Sequence, residues 1–117
     1  MSEFKIKFRG VRGSYPVANG DFLKYGGNTS CVEVTIGDRL IILDAGTGLI
    51  NLGDELMKNY INSGTTLSNR IPVNATLLLS HIHQDHILGV PFFKPLHVAS
   101  TKLSVFGNVA SENLEQE

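Results

Sequence analysis

Phe4, Ile6 and Phe8 alternate with Lys5, Lys7 and Arg9, the period of two that predicts a strand with one face buried. Residues 10–28 break that rhythm. Glycines stand at 10, 13, 20, 26 and 27 with Pro16 and Asn19 among them, so a long loop with several tight turns is expected. Loops of that length in compact domains are often functional. Val32, Val34 and Ile36 alternate again, with Glu33 and Thr35 between them. Gly37-Asp38 then separates them from the aliphatic run Leu40-Ile41-Ile42-Leu43, which predicts two antiparallel strands joined by a two-residue hairpin.

After Asp44 and the small-residue turn Ala45-Gly46-Thr47-Gly48, the period changes. Leu49, Leu52, Leu56, Met57 and Tyr60 recur at helical spacing, with Asn51, Asp54, Glu55 and Lys58 between them, and predict one amphipathic helix. Residues 63–72 are polar and turn-rich, and residues 75–80 form a short apolar run with the length and threonine content of a buried strand. Pro91 and Pro95 allow at most a short helical turn across residues 87–96. Residues 102–106 alternate as a last strand, and Ser111-Glu112 reads as the N-cap and first turn of a further helix. The order is mostly strands, then helix, then strands, with no internal repeat, and residues 1–117 are read as a single unit.

Composition narrows the possibilities. A chain of 117 residues, 42% hydrophobic and with a formal charge of −1, is the size of one small domain. The sequence pI of about 6.4 lacks the basic excess of an electrostatic nucleic-acid footprint. No aliphatic run approaches the ~20 residues of a membrane-spanning helix, so no membrane role is expected. Cys31 is the one cysteine, which excludes an internal disulfide, and a cytoplasmic, reducing setting is the expectation.

The chemistry concentrates in one place. His81, His83, Asp85 and His86 put four metal-ligand side chains into six consecutive residues directly after a predicted strand. Imidazole and carboxylate suit zinc, and also iron or manganese. The alternative, a set of surface histidines with Asp85 as a helix cap, is weaker, because three of the chain's four histidines lie in this segment. Asp44 ends an aliphatic strand and would stand at the same end of the sheet if the two strands run parallel. There it could accept the second ring N–H of a metal-bound histidine, or simply cap the following helix. His97 is expected to be an ordinary residue and not a ligand. Arg12 and Asn28 either bind a phosphate oxygen or hold the loop's own backbone. Gly10-Val11-Arg12-Gly13-Ser14 has neither the P-loop lysine nor the spacing of a dinucleotide fingerprint.

His81-Ile82-His83-Gln84-Asp85-His86 resembles the HxHxDH motif of the metallo-β-lactamase superfamily. Phe8-Arg9-Gly10-Val11-Arg12-Gly13-Ser14, Tyr25-Gly26-Gly27-Asn28-Thr29-Ser30-Cys31, Leu43-Asp44-Ala45-Gly46-Thr47-Gly48 and Gly89-Val90-Pro91-Phe92-Phe93 are similar to the branch of ribonuclease Z and cyclic-nucleotide phosphodiesterases. The resemblance covers about residues 4–107 and implies an α/β fold, the N-terminal half of an αββα sandwich with a mixed sheet and flanking helices.

It also implies two metals, usually zinc with manganese or iron as substitutes. His81 and His83 would bind the first, Asp85 and His86 the second, and Asp44 would orient a ligand. Such families complete the site with a histidine, a bridging aspartate and a last histidine from the C-terminal half, and no histidine or aspartate follows His97 here. The expectation is an incomplete chain, or one that pairs with another copy or with a separate C-terminal polypeptide.

The leading functional expectation is a phosphodiesterase-type hydrolase acting on a small-molecule or nucleotide phosphodiester through activated water, with Asp85 as a catalytic residue that orients the water or passes a proton. The alternatives are hydrolysis of a thioester, lactone or amide at the same centre, and an inactive metal-binding or assembly module.

Overall fold

Every predicted strand is present, and the strand directions place the histidine-bearing end beside Asp44. The computed structural model describes residues 3–13, 26–80 and 86–107. They form a five-stranded sheet in chain order: β1 (Phe4–Gly10), β2 (Cys31–Ile36), β3 (Arg39–Leu43), β4 (Asn74–Leu79) and β5 (Lys102–Gly107). β1, β2 and β3 run antiparallel to one another, while β3, β4 and β5 run parallel. The β2–β3 connection is the expected hairpin, with Gly37 at φ 61° in the left-handed region that suits glycine at the first of two central turn positions. The expected cap at Ser111 lies outside the described residues.

The crossover from β3 to β4 carries α1 (Gly48–Asn62), which packs on one face of the sheet. Its apolar stripe supplies the buried Leu49 and Leu52, which meet Cys31, Ile42, Ala45, Ala75, Leu77 and Phe93 in the core. Phe93 comes from the segment between two short 3-10 turns, Val90–Phe92 and Lys94–His97, which lie where the prolines allowed only short helical pieces. Burial pushes the Cys31 thiol up to about 12, so this side chain behaves as a small apolar core residue.

One expectation is corrected. The alternation in β1 is real, but its apolar face does not lie in the core: Phe4, Ile6 and Phe8 are 60%, 53% and 70% exposed. The charged face turns towards α1 instead. Arg9, the extra residue of a β-bulge opposite Cys31, donates from Nε and Nη2 to Glu33 Oε1 at 2.8 and 2.6 Å, and from Nη1 to Glu55 Oε1 at 3.0 Å. Only 7% of the Arg9 side chain is exposed. An almost buried guanidinium between two carboxylates is satisfied by bidentate, charge-assisted bonds, so β1 is tied to β2 and α1 by ions where an apolar contact was expected.

Pairing register then defines the sheet's other face. Phe8, Val32, Leu43, Leu78 and Phe106 stand in one row across all five strands, and Ile6, Val34, Ile41, Thr76 and Ser104 in the next. Directly paired residues point to the same side, so both rows face away from α1.

The Arg9–Glu55 pair predicts an acid limb in the stability profile. The hydrogen bonds from Arg9 hold the Glu55 carboxyl below its ordinary value of 4.5. A lowered folded-state value means that the contribution is present above pH 4.5 and disappears as the pH falls through the folded value. Urea unfolding followed from pH 6 downwards should show a loss of stability that is smaller in Glu55→Gln, whose midpoint is already reduced at neutral pH. Equal acid limbs in the two proteins would contradict this role.

Candidate metal centre

Parallel pairing of β3 with β4 brings both C-terminal ends to one edge. Asp44 follows β3 there and Ser80 follows β4. Asp44 is the one non-glycine residue among those described with a positive φ, 66°. Aspartate tolerates this region better than most residues, yet such strain persists only where the surroundings enforce it. Here the enforcement is visible. The Asp44 backbone N–H donates to Leu78 O at 2.8 Å, and its carboxylate turns across the strand ends to Ser80. Oδ1 accepts from the Ser80 backbone N–H at 2.7 Å, and the Ser80 hydroxyl lies 3.0 Å from Oδ1 and 2.8 Å from Oδ2.

The third member is His86. Its Nδ1 lies 3.0 Å from Asp44 Oδ2, with the two side chains 13% and 15% exposed. Ser80 Oγ is 3.4 Å from the same nitrogen. An imidazole whose Nδ1–H points to a carboxylate presents Nε2 as its lone-pair nitrogen, the tautomer that a metal ligand needs. The Asp44 cap reading fails on the same contacts. Thr47, and not Asp44, stands at the N-cap of α1, and it makes no side-chain cap bond there.

Backbone straps hold His86 in place. Ala45 N–H donates to His86 O at 2.7 Å, and Gly89 N–H donates to Ala45 O at 2.9 Å. The approach is so close that a Cβ on Gly89 would stand 2.1 Å from Gly46 O. From the other side, Gly46 N–H donates to Ser30 O at 2.8 Å, and the fully buried Thr29 exchanges bonds with Thr47: each backbone N–H donates to the other's hydroxyl, at 2.9 and 2.7 Å. Asn28 and Arg12 belong to this bracing. The Arg12 N–H donates to Asn28 O at 2.9 Å, and Asn28 Oδ1 accepts from the Thr47 hydroxyl at 3.3 Å. The loop-holding reading of Asn28 is therefore the one its contacts support.

Of the residues singled out from sequence, Asp44 and His86 are brought together. His81, His83 and Asp85 lie outside the described residues. Among the described residues no third histidine, cysteine or carboxylate joins Asp44 and His86 in a cluster, and His97 is exposed at the end of the second 3-10 turn. Ser80 is the participant that sequence reading passed over. Its signal was positional: a hydroxyl one residue past a strand whose parallel neighbour ends in aspartate.

The chain superposes over 97% of its length on the metallo-beta-lactamase fold protein YhfI from Bacillus subtilis, with a TM-score of 0.64 and 22% identity. The fold is that of the metallo-β-lactamases. This chain accounts for 40% of the length of YhfI, and its mixed sheet with α1 is the N-terminal half of such a fold. A candidate metallo-beta-lactamase from Thermotoga maritima also matches, at 23% identity over 79% of this chain and 40% of that one, with a TM-score of 0.37. No family model and no curated protein sequence matches the chain. No helix among the described residues is long and apolar enough to cross a membrane.

The strap at Gly89 gives a direct test of how this edge of the sheet is held. Gly89→Ala should cost about 1–3 kcal/mol in urea unfolding, the range for forcing atoms into a packed site. It should also shift the His86 ring-nitrogen NMR signals as the residue 86–89 segment moves off Ala45. Wild-type stability and wild-type ring signals in the variant would show that the strap does not position His86.

Proposed function

We propose that this chain carries half of the active site of a metal-dependent hydrolase, most closely of the phosphodiesterase type. The observation that carries the reading is the 3.0 Å contact of Asp44 Oδ2 with His86 Nδ1 at the parallel strand edge. His86 closes the HxHxDH segment, and its contact with Asp44 is the one by which a carboxylate orients a metal-binding imidazole. The donor set fits a divalent metal: neutral imidazoles and a carboxylate in one short segment, with Nε2 as the nitrogen through which His86 would bind.

His81 and His83 would hold one ion, and Asp85 and His86 a second, zinc in the first instance. When bound, such ions supply Lewis acidity towards a phosphoryl oxygen and a water nucleophile effective at neutral pH. The chain's own residues contribute orientation. Asp44 fixes the tautomer of His86, and Ser80 holds the Asp44 carboxylate in place through its N–H and hydroxyl. Asp85 is assigned the orientation of the attacking water or proton delivery to the leaving group. The phosphodiester preference rests on the segments around Arg12, Asn28, Asp44 and Gly89, which resemble the ribonuclease Z branch. The fold alone serves many reactions and does not choose among them.

Metal binding can be read on this chain directly. Titration of the metal-stripped protein with zinc should give saturable binding, and Asp44→Asn should weaken it about 10–100-fold, the usual effect of losing the carboxylate behind a ligating histidine. Failure of the chain to take up zinc, or an Asp44→Asn variant that binds as well as wild type, would remove the metal reading. Substrate class is tested on the assembled enzyme with bis(p-nitrophenyl) phosphate against a thioester. Phosphodiester turnover that ends on chelation is expected, and thioester turnover with indifference to the phosphodiester would transfer the site to the competing class.

A further inference from the structure

Thr47 stands at the N-cap of α1 and yet makes no side-chain cap bond. A threonine in that position ordinarily accepts the N–H of the second or third helical residue. Here the hydroxyl is turned away from the helix: Thr47 Oγ1 accepts from the Thr29 N–H at 2.9 Å and donates to Asn28 Oδ1 at 3.3 Å. The Thr29 hydroxyl in turn accepts the Thr47 N–H at 2.7 Å. The capping contact is given up for a link between two segments 18 residues apart. We propose that Thr29 and Thr47 are positioning residues for the metal edge, which set the place of His86, and through it zinc affinity, by locking the turn that follows Asp44.

The inference rests on the metal reading above and adds to it a connection to the segment before β2. Residues 45–48 are held from two sides. Towards the histidine segment, Ala45 uses both of its backbone groups: its N–H donates to His86 O at 2.7 Å, and its carbonyl accepts the Gly89 N–H at 2.9 Å. Towards β2, Gly46 N–H donates to Ser30 O at 2.8 Å and Gly48 N–H to Thr29 O at 3.3 Å. Ala45, Gly46 and Gly48 carry no polar side chain, so Thr47 is where a side chain can anchor this turn beyond Asp44.

Burial and close packing make the anchor stiff. Thr29 is fully buried, and a buried polar group that loses its partner is costly, which keeps the pair in register. The surrounding backbone leaves no slack: a Cβ on Gly10 would stand 1.9 Å from Thr29 O, and one on Gly48 would stand 2.6 Å from the Arg9 carbonyl carbon. A shift of the turn would reach His86 through its bond to Ala45 and would reach Asp44 through the chain. The Asp44–His86 contact, at 3.0 Å, has little room to lengthen before it passes the ordinary limit of ~3.2 Å. Coupling of this kind is reciprocal. If the threonine pair raises zinc affinity, zinc must stabilise the pair.

Zinc titration of the metal-stripped 117-residue chain tests this in wild type, Thr29→Val, Thr29→Ser and Leu56→Ala. Thr29→Val keeps the shape and loses the hydroxyl, and should weaken zinc binding about tenfold, the lower end of the effect of removing a partner behind a ligand. Thr29→Ser restores the acceptor and should bind close to wild type. Leu56→Ala loosens the packing of α1 on the core, and should lower stability in urea while leaving zinc affinity unchanged. Thr29→Val binding as well as wild type overturns the proposal, and so does an equal loss of affinity in Leu56→Ala. Hydrogen exchange on the wild-type chain needs no variant to fold: zinc should slow the amides of Thr29 and Thr47 together with those of Ala45 and Gly89, and protection of Ala45 and Gly89 alone overturns the coupling. A wild-type chain that takes up no zinc defeats the metal reading by itself. The ring-nitrogen NMR signals of His86 then decide the positioning role: they should shift in Thr29→Val and stay in place in Leu56→Ala, and signals unmoved in both overturn it.

Discussion

The parallel pairing of β3 with β4 is the constraint on which the site depends. An antiparallel partner would place Ser80 at the far end of the sheet from Asp44, some 15–20 Å away for strands of five or six residues. Parallel alignment instead puts the last residues of both strands side by side, close enough for one carboxylate to span them. Once Asp44 has accepted two bonds from Ser80, its second oxygen is positioned for His86, and the straps through Ala45 and Gly89 set the distance at which the imidazole arrives. The positive φ of Asp44 is part of the same arrangement, since it directs the side chain across the sheet edge.

The same sheet is asymmetric in how it is held together. Towards α1 it uses an apolar core in the middle, around Ile42 and Leu77, and an ionic clamp at the β1 edge, where Arg9 stands between Glu33 and Glu55. Away from α1 it presents the apolar row from Phe8 to Phe106, with Arg39 and Lys102 at the far end of the same face. In an isolated two-layer α/β unit the charges would be expected on the open face and the apolar residues beneath the helix. The inversion in β1 shows that this strand's sequence answers to something beyond α1.

How much of this was legible follows from the range of each signal. Alternation and turn chemistry are local, and they located every strand, the Gly37-Asp38 hairpin and the helix from Leu49 to Tyr60. Strand direction was legible conditionally: if β3 and β4 ran parallel, Asp44 would stand at the histidine end, and it does. Which face of β1 lies against α1 was not legible, because a period of two is the same whichever side is covered, and the partners that decide it, Glu33 and Glu55, are 24 and 46 residues away. Ser80 was missed for a related reason. A serine after a strand carries no signal of its own, and its role exists only through a strand paired beside it. The positions of His81, His83 and Asp85 relative to Asp44 lie outside the described residues, so their part in the centre stands on the motif alone.

The open face and the site edge are also neighbours. Leu43 directly precedes Asp44, and Leu78 is two residues before Ser80, so the apolar row ends where the carboxylate contacts begin. A layer placed over that row would exclude water from the sheet side of the Asp44–His86 pair. In a drier surrounding, the bond between a carboxylate and an imidazole is electrostatically stronger, and the cost of leaving either group without its partner rises. Covering the face would therefore do more than bury phenylalanines. It would tighten a contact that orients His86 at the sheet edge.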